Sequence, residues 1–212
     1  MIYIEANSHE SAFVELLKKL DIEANYSRDP ELLIEDQLAF MIDGKKPNSS
    51  ATIFTGSDFE IPEAVQKHFD PGILKEVKAH YLGLLDHGSE IEWIIDYLKS
   101  NQFSKRAIIN FWKKSDTDVS HKCPCVVYFL FRVTKNGLDM SVHMRSNDVN
   151  RKMLLNLHLF SAIQKYVAAA LGEKVGHYYH FVDTVIIHKV DQEKFAKIQK
   201  EATTSEDFFR GY

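Results

Sequence analysis

Cysteine, proline and long apolar runs are all scarce in this 212-residue chain. The two cysteines are separated by one proline, poorly placed to bridge each other, so a disulfide framework is excluded. A reducing, cytoplasmic setting is the expectation that follows. No apolar run approaches the roughly 18 residues of a membrane span, so no membrane partner is expected. The start, Met-Ile-Tyr-Ile-Glu-Ala-Asn, lacks the basic and apolar regions of a signal peptide. Positive charge is not in excess either. A net charge of -4 gives no global basic field for nucleic acid or anionic lipid. Trp93, Tyr97 and Trp112 form no platform interleaved with basic residues, and nucleic-acid binding is not expected.

What is present describes an ordinary globular protein. Hydrophobic residues make up 45% and charged residues 26%, enough to bury a sizeable core in one domain spanning 1–212. Asn7 or Ser8 can cap a helix whose apolar stripe is Phe13, Leu16, Leu17 and Leu20. Leu33-Ile34 and Leu38 to Ile42 read as buried. Gly44 to Ser50 reads as a loop, Ala51 to Thr55 as a strand and Gly72 to Asp86 as a helix. Ser89 and Glu92 stand at capping-box spacing before a helix through Leu98. Arg106 to Trp112 and Cys125 to Thr134 read as strands, the second apolar on both faces and therefore central. Asn136-Gly137 marks a hairpin turn, after which Leu138, Met140, Val142 and Met144 alternate. Met153, Leu157, Phe160, Ile163, Val167 and Leu171 trace a long helix that Gly172 closes. Tyr178 to Val190 is strand-like and the remainder reads as a polar tail, with Lys197 to Glu201 a solvated helix face. This order predicts an α+β fold, a mixed sheet packed against one long buried helix.

The chemistry gathers around Cys125. Arg106 stands 19 residues before it, Arg145 stands 20 residues after it, and Asn156 follows Arg145 by 11. The thiolate is the active form of a cysteine, and guanidinium groups hold phosphate by paired hydrogen bonds. Arg145 and Ser146, at the end of the hairpin strand, can grip one phosphate together. Taken alone, Cys125 has the ordinary reading of a buried strand thiol. Arg145 alone reads as a surface ion pair and Asn156 as a capping or core amide. No metal is expected: His121, Cys123 and Cys125 lack the spacing of a common zinc site. His177 and His180 would face opposite sides of a strand.

In combination, Ser104-Lys105-Arg106, Trp112, Pro124-Cys125, Arg145-Ser146-Asn147-Asp148 and Asn156 resemble the thymidylate synthase and deoxycytidylate hydroxymethylase family. The resemblance covers roughly Ser89 to Lys197 and leaves 1–88 strongly diverged. It implies that Cys125 adds to C6 of a pyrimidine ring, so that C5 attacks a one-carbon unit supplied by methylenetetrahydrofolate. It implies that Arg145 and Ser146 bind the nucleotide phosphate, and that Lys105 and Arg106 reach the phosphate of a neighbouring subunit in a homodimer. Asn156 would read the N3 and O4 edge of a uracil-type base, and Asp148 would lie on the cofactor side.

The departures from that pattern are also specific. Lys105 replaces an arginine, and Val126 stands where the family has histidine. Val182 to Ile187 replaces Gly-Asp-x-His-x-Tyr, which makes both sugar-binding side chains apolar. His188, one residue along, would face the other way. The C-terminal segment that closes over folate in the family has no counterpart. Three readings therefore stand: a C1-group transferase acting on C5 of a pyrimidine nucleotide; a non-catalytic nucleotide-binding or interaction protein; and a folate-independent enzyme acting on another anionic substrate.

Overall fold

The computed structural model describes residues 1–22, 27–43, 89–117 and 123–204. The expected loop at 44–50, strand at 51–55 and helix at 72–86 lie outside these residues. In chain order the elements are β1 (Ile2–Ala6), α1 (His9–Lys19), β2 (Leu32–Ile42), α2 (Ser89–Ser100), β3 (Ile108–Asn110), β4 (Val126–Thr134), β5 (Gly137–Met144), β6 (Asn147–Asp148), α3 (Leu154–Leu171), β7 (Val175–His188) and α4 (Gln192–Thr204). The strands form one mixed sheet in the order β1-β2-β7-β5-β4-β3, with β6 extending along β7. The fold is α+β, as the sequence predicts.

Local chemistry explains most of these boundaries. Ser8 Oγ accepts from Ser11 N at 3.0 Å, and Ser11 Oγ accepts from Ser8 N at 3.1 Å. The two orphan donors at the start of α1 are thereby satisfied reciprocally. Among the described residues α2 begins at Ser89, where the sequence places its start. β4 and β5 form the expected hairpin, pairing Thr134 with Gly137, whose φ of 116° suits glycine alone. Gly172 ends α3 in the left-handed region at φ 71°.

Four expectations need correction. The strand expected over Arg106 to Trp112 shrinks to Ile108–Asn110, because Arg106 N turns back onto Ser104 Oγ and Trp112 reaches away to Pro124. Strand β4 starts at Val126, one residue later than expected, and is not the centre of the sheet. That place belongs to β7 and β5, while β4 buries Phe129 and Phe131 on one side only and leaves Arg132 exposed. The expected polar tail contains α4, which buries Phe195, Ile198 and Ala202. There Gln199 Nε2 donates to Leu17 O and Leu20 O at the end of α1, so polar residues hide a docked helix.

The core lies between the sheet and α3. Leu138, Met140, Val142 and Met144 of β5 and Tyr178, His180 and Val182 of β7 turn toward it. Phe160 sits on α3 with its ring 5.0 Å from that of Phe129 on β4. Burial of such a ring stabilises the fold by about 2–3 kcal/mol. Before α3 becomes regular, the chain makes one π-helical turn over Val149–Met153. Strand β7 carries an extra residue against β2, since Asp36 pairs Val185 while Leu38 pairs Val182. This bulge shifts the alternation, so that Val185 and Ile187 join the core. No helix among the described residues is long and apolar enough to cross a membrane.

Candidate active site

Antiparallel pairing places the start of β4 beside the end of β5, and this is what brings Cys125 to Arg145. Arg145 N donates to Cys125 O at 2.9 Å, just beyond the Val126–Met144 pair. Val126 and Met144 face the core, so Cys125 and Arg145 turn to the other side. Cys125 is exposed, which removes the buried-thiol reading. Ser146 Oγ lies 3.6 Å and Arg145 Nη2 3.9 Å from Cys125 Sγ. The guanidinium also grips the backbone, with Nε donating to Pro124 O at 3.1 Å and Nη2 to Cys123 O at 3.5 Å. Trp112 completes the rim. Its indole N–H donates to Pro124 O at 2.9 Å, and its ring centre lies 6.0 Å from Arg145 Cζ. His121 lies outside the described residues.

Asn147 and Asp148 continue the segment but turn inward. Asn156 is 8% exposed and donates from Nδ2 to Asn147 Oδ1 at 3.1 Å. Asn147 Nδ2 in turn meets His180 Nε2 at 3.3 Å, and His180 Nδ1 meets the Tyr178 hydroxyl at 2.8 Å. His180 is fully buried, and desolvation pushes it down to about 3, with His143 adding repulsion. It is a neutral imidazole at physiological pH. Among the described residues, Asn156 is thus joined to the thiol rim through Asn147, the neighbour of Ser146.

Asp148 caps the π-helical turn, its Oδ1 accepting from Arg151 N at 2.9 Å. Its Oδ2 lies 3.5 Å from His188 Nε2 and 3.7 Å from Arg151 Nε. Burial raises its carboxyl above the ordinary range, and Arg151 and His188 offset that only in part. β6 pairs Asp148 with Ile186 in parallel, so Asp148, Ile186 and His188 share a side while Val185 and Ile187 are buried. Asp183 leaves this region altogether: it faces His143 across the sheet at 3.0 Å.

Lys105 and Arg106 are exposed and stand apart from the thiol. Ala107 bonds Phe131, six residues along β4 from Cys125. At the rise of an extended strand that is about 20 Å. Ser104 anchors the turn by accepting from Arg106 N at 3.1 Å and meeting Tyr97 Oη at 2.9 Å.

Sequence reasoning singled out the rim but missed the inward relay. In the sequence Asn147 stands only as the residue between Ser146 and Asp148. The signal for His180 was parity: it shares alternation with Tyr178 and Val182 and so belongs to the core face.

The thymidylate synthase family model matches residues 76–206, more than half of the chain. The chain belongs to the thymidylate synthase family. A thymidylate synthase of Haloferax volcanii is 28% identical over 93 residues, which cover 44% of this chain and 27% of that protein. A thymidylate synthase of Bacillus phage phi3T is 28% identical over 89 residues, covering 42% of this chain and 32% of the other. This chain therefore aligns with about a third or less of these thymidylate synthases. The solved thermostable thymidylate synthase A from Bacillus subtilis aligns at 24% identity with a TM-score of 0.48, over 52% of this chain and 39% of that one.

Proposed function

We propose that this thymidylate synthase family member modifies C5 of a pyrimidine nucleotide through Cys125. The observation that carries the reading is the exposed sulfur with Ser146 Oγ at 3.6 Å and Arg145 Nη2 at 3.9 Å. The Cys125 thiolate adds to C6, and the electron pair gathers at C5, which becomes nucleophilic. C5 bonds a one-carbon electrophile and loses its proton, and the sulfur leaves C6 to restore the ring. Arg145 and Ser146 hold the phosphate, charge against charge and hydroxyl against oxygen. Asn156 reads the base edge, an amide being both donor and acceptor.

Methylenetetrahydrofolate is the donor that the family resemblance implies. The Asp148 carboxylate, which would face it, caps its own helix and meets His188 and Arg151. Its Oδ1 is spent on the cap, while its buried Oδ2 has ion-pair neighbours but no hydrogen bond, so one carboxylate oxygen remains for a donor on that group. Lys105 and Arg106, about 20 Å from the thiol along β4, serve the phosphate of a second copy in a homodimer. The sheet face away from α3 supports that reading, exposing Ile108 at 39% and Phe181 at 38%. Residues 1–212 form one domain in this reading, with 1–88 diverged; β1, α1 and β2 share their core with the later elements.

The test is release of tritium from [5-³H]uridine and deoxyuridine monophosphates, with and without methylenetetrahydrofolate, beside mass spectrometry for a Cys125 adduct. Release that disappears in Cys125→Ser is expected. Absence of both release and adduct for every pyrimidine nucleotide overturns the reading. A second reading, nucleotide binding without turnover, draws on the burial of Val185 and Ile187 where the family binds the sugar. It predicts binding that survives Cys125→Ser with no product under any condition.

A further inference from the structure

The relay beneath the rim has a direction, and the surroundings of Asn147 set it. Two thioether acceptors crowd one end of its side-chain amide, Met144 Sδ at 3.3 Å and Met153 Sδ at 3.2 Å, with His180 Nε2 beside them at 3.3 Å. An amide NH₂ suits a place between two thioether sulfurs, whereas a carbonyl oxygen there would face the lone pairs of both. Asn147 therefore presents NH₂ to His180 and Oδ1 to Asn156. His180 accepts at Nε2, so its proton sits on Nδ1 and points to the Tyr178 hydroxyl at 2.8 Å. Asn156 must then donate inward through Nδ2, at 3.1 Å. Among the described residues its side chain makes no other hydrogen bond. Its Oδ1 and second N–H are what remains for a ligand.

We infer that Asn147, held by His180, is a positioning residue that decides which base edge Asn156 accepts. It fixes the Asn156 carboxamide in one of its two flips, with the carbonyl oxygen left for an N–H donor and the remaining amide hydrogen for a carbonyl. The N3–H and O4 of a uracil ring meet that arrangement, and the unprotonated N3 and amino group of cytosine oppose it. This inference rests on the pyrimidine reading above and assigns selectivity to a residue that touches no ligand. Burying the pair costs little: all members are neutral and each bond is satisfied by its neighbour.

Two measurements test it. Nitrogen-15 histidine spectra of the free protein report the His180 tautomer without any ligand, and the Nδ1–H form is expected. Calorimetry then compares uridine and cytidine 5′-monophosphates, with ribose 5-phosphate as a probe that lacks a base. Wild type is expected to prefer the uracil nucleotide by about tenfold or more, the cost of leaving a polar edge unpaired. Asn147→Leu keeps the volume and removes both hydrogen bonds; it should narrow the preference to about threefold or less, since the freed amide can flip. Its affinity for ribose 5-phosphate should not change. An Nε2–H tautomer overturns the inference whatever binds. So does wild-type selectivity in the Asn147→Leu variant. If ribose 5-phosphate binds but neither nucleotide binds better, the pyrimidine reading itself fails and takes this inference with it.

Discussion

Four consecutive residues divide between two environments. Arg145 and Ser146 turn outward to an exposed sulfur, while Asn147 and Asp148 turn inward to partners of their own chain. Outside, Arg145 holds the Cys123–Cys125 backbone with part of its guanidinium and leaves Nη1 without a hydrogen bond to any described residue. Inside, both ends of the Asn147 side chain meet polar groups, Asn156 at one end and His180 at the other. The difference separates reactivity, which needs unfilled valences, from selectivity, which needs them filled in a fixed order.

The sharpest way to break the outward half is Cys125→Ser. Tritium release from a pyrimidine nucleotide should fall by about 10³-fold or more, because a hydroxyl is a far weaker nucleophile than a thiolate at neutral pH. Retained turnover would remove the thiol from the mechanism. The inward half can be broken with acid. His180 has a folded pKa of about 3, below its unfolded value near 6.5, so the unfolded chain takes up the proton first. Stability should decline as pH falls through that window, with His180 alone accounting for about 2 kcal/mol between pH 7 and 5. His9, also pushed well below its ordinary value by burial, adds in the same direction. Urea melts across this range check it; a flat profile would place His180 in contact with water.

Smaller changes sharpen the contrast. Arg145→Lys keeps the charge but loses the planar fork, and nucleotide affinity should weaken by about tenfold in calorimetry. Asp148→Asn keeps a capping oxygen and removes a buried charge. Because burial raises the folded pKa of Asp148, its ionised form disfavours the fold at neutral pH, and that penalty fades as pH falls through the raised value. The variant should match or exceed wild type by up to about 1 kcal/mol at pH 7, and the gap should close in acid. Thermal melts at the two pH values measure both.

The outward half was legible in the sequence because it is periodic. Alternation through Leu138 to Met144 fixed which side Arg145 faces, and the hairpin turn at Asn136-Gly137 fixed its partner. The inward half depended on information that spacing does not carry. The Asn147–His180 bond joins residues 33 apart through a parallel crossover. The bulge at Asp183–Thr184 appears only when β7 is paired with β2, and it decides that Val185 and Ile187 are buried while His188 reaches Asp148. α4 was legible only as a solvated helix face at Lys197 to Glu201, because just Phe195, Ile198 and Ala202 mark its buried stripe.

The π-helical turn at Val149–Met153 has a consequence for how this stretch can diverge. It supplies an extra residue just ahead of α3, and each residue of an α-helix advances the side-chain direction by about 100°. A one-residue deletion between Arg145 and Asn156 would swing the Asn156 carboxamide around the helix axis and away from its partner. The Asn156–Asn147 bond at 3.1 Å therefore depends on the number of residues in this interval as well as on their identities.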